Sequence, residues 1–341
     1  MASAALIPPF LQQGGETGRL IAAHDWNATP LGSIADWPQS LRTATALMLR
    51  SSVPMVMLWG ADGIMLYNDA YSVFAGARHP RLLGSRVREG WPEVADFNDN
   101  VMKVGLAGGT LAYRDQELIL YRHGRPEQVW MNLDYSPVID DGGEAAGVIA
   151  IVVETTGRVL AERRNHFLAN LSERLRNLAT TRAVLTVSAE LLGRHLGVDR
   201  VGYGEIAGEG EALRVVIADD WNSERSASIA GTHQLADYAA AFSHEFEAGI
   251  PIVFEDLAAD SRTAGAAAER HEALGIRSMV LLPLVKEARL VGLFFAHHAS
   301  PRHWREEEVK LIREVGDRTW SALGRARSRH CARVRAGCAS R

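Results

Sequence analysis

Residues 278–297 read SMVLLPLVKEARLVGLFFAH. Two apolar runs, 278–285 and 290–297, flank a short charged turn. A strand with one wet face alternates apolar and polar residues, so these near-continuous runs predict two central strands covered on both faces. Outward from them, residues 252–254 predict a short strand, and 264–274 and 234–248 predict helices. Residues 198–206 and 212–218 predict a hairpin across Gly208-Glu209-Gly210. A last helix is expected over 306–325, with Glu306, Glu307 and Glu308 in its first turn, where the helix dipole favours negative charge. Helices laid around an antiparallel sheet make this half α+β.

The first half repeats that plan. Residues 54–59 and 64–67 predict strands joined at Gly60-Ala61-Asp62-Gly63, followed by helices at 68–76 and 93–106. Strands are expected over 110–122, 128–139 and 145–153, separated by turn clusters. A helical lead-in occupies 1–50, where Asp36 stands as a cap before Trp37-Pro38. Between the halves, 157–196 is the longest helical stretch. Leu168, Leu171, Leu175, Leu178 and Leu185 lie on heptad spacing with Arg182 out of place. Two heptads fit either a helix packed on its own domain or a parallel dimer stalk.

Composition bounds the function classes. The 341 residues are 47% hydrophobic and 23% charged, with a net charge of −4. That is ordinary globular composition, without the basic excess of a nucleic-acid binder, so no DNA partner is expected. No apolar run approaches the ~20 residues that span a bilayer, so no membrane insertion is expected. Cys331 and Cys338 are the only cysteines, which leaves the body without a disulfide framework and fits a reducing cytoplasm. From Gly324 onward the chain holds six arginines and no acidic residue, and residues 326–341 are expected to be a disordered tail.

Two resemblances follow. The strand pair at 54–67, Asn68-Asp69-Ala70-Tyr71 and the exit through Glu154-Thr155-Thr156 make residues 51–156 resemble a PAS domain. Residues 181–325 resemble a GAF domain. They carry Leu196-Gly197-Val198-Asp199-Arg200-Val201-Gly202-Tyr203-Gly204-Glu205, Val253-Phe254-Glu255-Asp256-Leu257, Leu282-Pro283-Leu284-Val285 and Pro301-Arg302-His303-Trp304. A helix at 157–180 would connect the two. With Asp25-Trp26-Asn27-Ala28-Thr29-Pro30-Leu31-Gly32, the whole is similar to the sensory front of bacterial sensor histidine kinases of hybrid or HWE type. One departure is Arg305, where the family has Thr or Ser; Glu308 of the capping box remains, so a weaker helix start by about 1 kcal/mol is expected.

The resemblance implies a non-catalytic sensory module of a two-component system. Such a module senses a small ligand or cue and relays it through the connecting helix. A homodimer is expected, with a histidine kinase or response regulator as partner. Two alternatives stand beside this: a sensor kinase lacking its catalytic core, and a dimeric adaptor acting by protein contact. No phosphoacceptor box is complete: Glu173 stands where its histidine would be, and Ser243-His244-Glu245-Phe246 lies inside the GAF-like half. No Gly-rich phosphate loop occurs.

No cofactor is expected. Flavin photochemistry and covalent bilin attachment each need a thiol inside a domain, and haem-binding PAS domains need a histidine in the 93–106 helix, which has none. His297 and His298 point to opposite faces of a strand and are not expected to share a metal. The resemblance and strand alternation place Tyr203, Trp221, Phe254, Asp256, Met279 and Phe294 around a GAF pocket.

Overall fold

A computed structural model of the chain describes residues 7–208, 212–239, 243–263, 266–287 and 289–339. The chain divides into two compact units, Met1–Ala161 and Glu162–Arg341. Each is α+β with one antiparallel sheet flanked by helices, as the sequence predicts.

The first unit opens with α1 (Gly15–Ala23) and α2 (Gln39–Leu49), then β1 (Met55–Trp59), β2 (Ile64–Tyr67) and α3 (Asp69–Ala75). After α4 (Val87–Gly90) and α5 (Ala95–Leu106) come β3 (Leu111–Leu120), β4 (Glu127–Ile139) and β5 (Ala145–Glu154). The sheet order is β2-β1-β5-β4-β3, so the fifth strand closes between the first and the fourth.

Asn68 joins these parts. It is fully buried. Its Oδ1 accepts from the backbone of Tyr71 and of Met55, both at 3.0 Å, capping α3 and starting β1. Its Nδ2 donates to the carbonyls of Met48, Ser51 and Val53 at 3.2, 3.0 and 2.8 Å, which fixes the end of α2.

The lead-in helices are capped from a distance. The expected role of Asp36 is not met: it sits in a 3₁₀ turn, and α2 instead begins on the carboxylate of Asp141, which accepts from Gln39 and Ser40 at 3.1 Å each. Proline brings no side-chain acceptor, so the orphan N–H groups take one from the β4–β5 turn. In the same way Asp69 accepts from the backbone of Glu16 and from both the backbone and hydroxyl of Thr17 at the start of α1.

Burial alone would raise the Asp69 pKa, but the Thr17 and Glu16 hydrogen bonds prevail and hold it below the ordinary 3.8. A carboxyl lowered in the folded state contributes stability above its unfolded value and loses it as pH falls through the folded one. Asp69→Ala is therefore expected to cost about 1 kcal/mol at neutral pH. The gap to the unmodified protein should close in acid, as read by urea unfolding across a pH series.

The helical stretch between the sheets is two helices, α6 (Thr156–Arg176) and α7 (Thr181–Leu196), because the Thr180 hydroxyl caps a fresh start by accepting from Ala183. Leu168, Leu171 and Leu175 are buried in the second unit's own core, together with Leu311, Ile312 and Val315. Their heptad face is thus filled by the same chain.

The second unit continues with β6 (Arg200–Ala207), β7 (Arg214–Ile217), β8 (Asp220–Asn222) and β9 (Gly231–Gln234). Next come α8 (Leu235–Ala239), α9 (Ser243–Ala248), β10 (Ile252–Phe254), α10 (Ala266–Ala273), β11 (Ser278–Lys286), β12 (Arg289–His298) and α11 (Glu306–Ala339). The order is β10-β11-β12-β6-β7-β9, with β8 also on β6. The expected helix over 234–248 is two helices, with 240–242 outside the described residues, as are 209–211 of the β6–β7 turn. Helix α11 runs on through Ala339, so the expected disordered tail is helical up to that point; alanine and arginine are good helix formers. At its start, Arg305 keeps half of the capping box: its backbone N–H donates to Glu308 at 2.9 Å.

The central strands are covered on both faces. Val280, Leu282, Phe294 and Ala296 pack into the cluster that holds α7 and α11. Met279, Leu281, Leu293 and Phe295 pack into a separate cluster on the other face.

Candidate functional site

On that second face lies a cleft of about 80 Å³, open at one side. Its floor is Val215 and Ile217 of β7, Met279 and Leu281 of β11, and Leu293, Phe295 and His297 of β12. Ile229, Leu235, Tyr238, His271, Leu274 and Ile276 close over it, and His233 stands at its edge. The walls are mostly apolar; the polar side chains are three imidazoles, the phenol of Tyr238 and the amide of Gln234.

Backbone carbonyls anchor two of the imidazoles. His271 Nδ1 is 2.7 Å from the Ala267 carbonyl, and His233 Nε2 is 2.8 Å from that of Ile229. Tyr238 packs edge-on to both rings, at 5.3 Å from His271 and 5.9 Å from His233. His297 stacks on Phe295, with centroids 4.6 Å apart and planes 16° apart. It is 6% exposed, and its buried Nδ1 has no hydrogen-bond partner. Burial first, then the charge of Arg200 and the neighbouring His271, push its pKa well below 6.5. Burial likewise lowers His271, and the Ala267 bond only partly offsets it. Both rings are neutral at neutral pH.

Arg200 holds the walls. It is 2% exposed, and burial lowers its pKa despite Asp220 and Asp199 nearby. Its guanidinium donates to Asn222 Oδ1 and to the carbonyls of Ala227 and Leu274, at 3.1, 2.6 and 3.2 Å. The buried carboxylate of Asp220 lies 3.5 Å away. One side chain thus ties β6 to the loop before Ile229 and to the end of α10. Asp199 adds a second tie, accepting from the Ser223 hydroxyl and the Ala299 backbone at 2.9 Å each. His298 is turned away from the cleft and lies 2.7 Å from Asp199, so the two adjacent histidines do face opposite sides. Among the described residues no group of His, Cys, Asp or Glu could hold a metal ion.

The six residues expected to line a pocket do not share one. Met279 lines the cleft. Tyr203, Trp221 and Phe294 line another cavity, about 250 Å³, on the opposite face beside Leu185 and Ala189 of α7. There α7 and β8 are so close that a Cβ on Gly193 would lie 2.1 Å from the Trp221 ring. Phe254 is fully buried beneath the Arg262 guanidinium and lines neither space. Asp256 pairs outside with Arg277, at 2.5 and 3.1 Å. Adjacent strand residues face opposite ways, so Phe294 lies on the face of the larger cavity and Phe295 on that of the cleft.

The Pro301–Trp304 segment is a latch. Trp304 donates to the Phe254 carbonyl at 3.2 Å, and Arg302 donates to the Leu196 carbonyl and to Glu308 at 2.9 and 2.7 Å. The first unit has its own small cavity of about 50 Å³, under Tyr71, Phe74, Trp91, Phe97 and Tyr135, where Trp91 donates to the Tyr71 hydroxyl at 3.1 Å.

Comparison with known proteins agrees with this architecture. Residues 49–160 match the family model described as PAS fold, and residues 180–323 the model described as GAF domain. No curated protein sequence matches the chain. Solved structures similar to it include the phycoerythrobilin-bound GAF domain from a cyanobacterial phytochrome, 18% identical over 49% of this chain and 97% of that one, with a TM-score of 0.40. Another is the free methionine-R-sulfoxide reductase from Neisseria meningitidis, 14% identical over 48% and 90%, TM-score 0.38. A third is the chromophore-binding domain of a bacteriophytochrome from R. palustris, 12% identical over 81% and 94%, TM-score 0.42.

One expectation is corrected by these similar structures. The sequence reading expected no cofactor and argued against flavin, haem and covalently attached bilin, with non-covalent bilin left unsupported. GAF domains among the similar structures are bilin-bound, so the expectation of no cofactor does not stand. Residues 49–160 of the chain belong to the PAS fold, and residues 180–323 to the GAF domain family.

Proposed function

We infer that this chain is a non-catalytic sensory module of a two-component system, binding a small ligand in the GAF cleft and relaying its presence through α6. The observation that supports this reading is the cleft itself, with a buried imidazole nitrogen left unpaired at its floor. An unmet buried polar atom costs about 1–3 kcal/mol. A ligand that pairs with it recovers part of that cost.

The exit of the PAS fold suits a relay. Thr155 donates through its backbone to the Trp130 carbonyl at 2.7 Å and through its hydroxyl to Asp115 at 2.7 Å. Thr156 Oγ1 accepts from the Trp130 backbone and donates to Glu154, at 3.0 and 2.8 Å. Arg158, in the first turn of α6, pairs with Asp115. A ligand can shift this helix only by its differential affinity for two arrangements. The module works as a cytoplasmic homodimer beside a histidine kinase or response regulator of bacterial type, without contacting DNA. Among the described residues no helix is long and apolar enough to cross a membrane.

Native mass spectrometry with absorbance spectra, before and after addition of biliverdin, reads whether the protein carries an occupant. Hydrogen exchange reads the relay. An occupant should slow exchange in α8 and α10 and alter it in the first turn of α6. In Asp115→Ala the effect on α6 should vanish while that on α8 and α10 persists. Steady ATP turnover by the chain, or no occupant that alters exchange, would overturn the reading.

A further inference from the structure

The hydrogen-bond chemistry of the cleft specifies its ligand. A backbone carbonyl only accepts, so the ring nitrogen facing it must carry the proton. His271 therefore has its hydrogen on Nδ1, bonded to Ala267, and a lone pair on Nε2. His233 has its hydrogen on Nε2, bonded to Ile229, and a lone pair on Nδ1. His297 is neutral, nine-tenths buried, and lines the cleft with no partner at Nδ1. The charged group in its surroundings is Arg200, whose donors are engaged by Asn222, Ala227 and Leu274; the other titratable ring beside it is His271.

No lysine, arginine, aspartate or glutamate lines the cleft. An anion would find no countercharge there, and neither would a cation; burying an unpaired charge is strongly unfavourable. A wholly apolar molecule would leave His297 unmet. The space, about 80 Å³, is of the order of the ~150 Å³ cavity that holds a benzene ring in another protein.

We propose that the GAF cleft takes a small neutral molecule with an apolar body no larger than about one ring and a single hydroxyl, a phenol being the simplest, which pairs with the imidazole of His297 as donor or acceptor. This rests on the sensory reading above and narrows it to a ligand class.

Isothermal titration calorimetry of the full chain with phenol, toluene and benzoate tests it. Phenol is expected to bind about tenfold more tightly than toluene, the worth of one hydrogen bond in such a site, and benzoate not at all. His297→Phe, with its fold checked by circular dichroism, should bind the two neutral compounds equally. The comparison on the unmodified protein needs no variant and decides the question if that one does not fold. Toluene binding as well as phenol, benzoate binding, or phenol preference surviving in H297F would each overturn the ligand class while leaving a ligand-binding cleft in place. Heat evolved with none of the three would overturn the ligand class, and the native-mass arm above then reads the sensory proposal separately.

Discussion

Arg200→Leu is expected to cost the GAF unit about 3–5 kcal/mol, enough to unfold much of it at room temperature. The mutation removes donors from the Ala227 and Leu274 carbonyls and from Asn222 at once. It also strands Asp220, whose side chain is fully buried and whose remaining partners are the Ser228 hydroxyl, the Ile229 backbone and Asn222. Leaving one charge of a buried pair behind is the costly case; replacing both by neutral groups is much milder. The double variant Arg200→Leu/Asp220→Asn should therefore be more stable than the single one, which is the sign of coupling and not of lost packing. Urea unfolding followed by near-UV circular dichroism measures both. A single variant within 1 kcal/mol of the unmodified protein would mean that Arg200 is not the clamp described above.

In the PAS unit the matching position is Asn68. Asn68→Ala should cost about 3 kcal/mol or more, because it leaves two backbone N–H groups and three carbonyls around one buried point. Asn68→Asp is the sharper test. It keeps both accepted bonds yet turns a carboxylate oxygen toward the carbonyls of Met48, Ser51 and Val53. Acceptor against acceptor is repulsive, so the aspartate variant should be no better than the alanine one despite its near-identical shape. If aspartate instead restores stability, the amide donors contribute nothing and the α2–β1 connection is held by packing alone. Thermal unfolding of both variants separates these results.

Much of the fold was legible because it rests on local signals. The runs at 278–285 and 290–297 read as strands wet on neither face, and the helix expected over 68–76 stands at Asp69–Ala75. Other parts depended on distant residues. Asp36 had the right chemistry beside Pro38, but the acceptor that α2 uses, Asp141, is supplied by a turn a hundred residues on. The short strands β8 and β9 carry no periodicity and exist because β6 and β7 offer them edges. The leucine face of α6 showed in the sequence, but not that α11 would fill it. The cleft was least legible of all. His233, His271 and His297 meet through topology, and nothing in their spacing marks them as neighbours. Strand alternation parts His297 from His298, and the same geometry aims His297 into an apolar space.

The carboxylates of Asp69 and Asp141 bear on how such modules are exchanged between proteins. Ile21, Trp26, Trp37, Leu41 and Met48 all sit in the core of the first unit, ahead of residue 49, where the recognised PAS stretch begins. A graft made at that boundary would strip an apolar face bare and leave two acids without the helix ends they hold. A piece that keeps this core intact must include Ile7, Phe10 and Leu11, which pack into it ahead of α1.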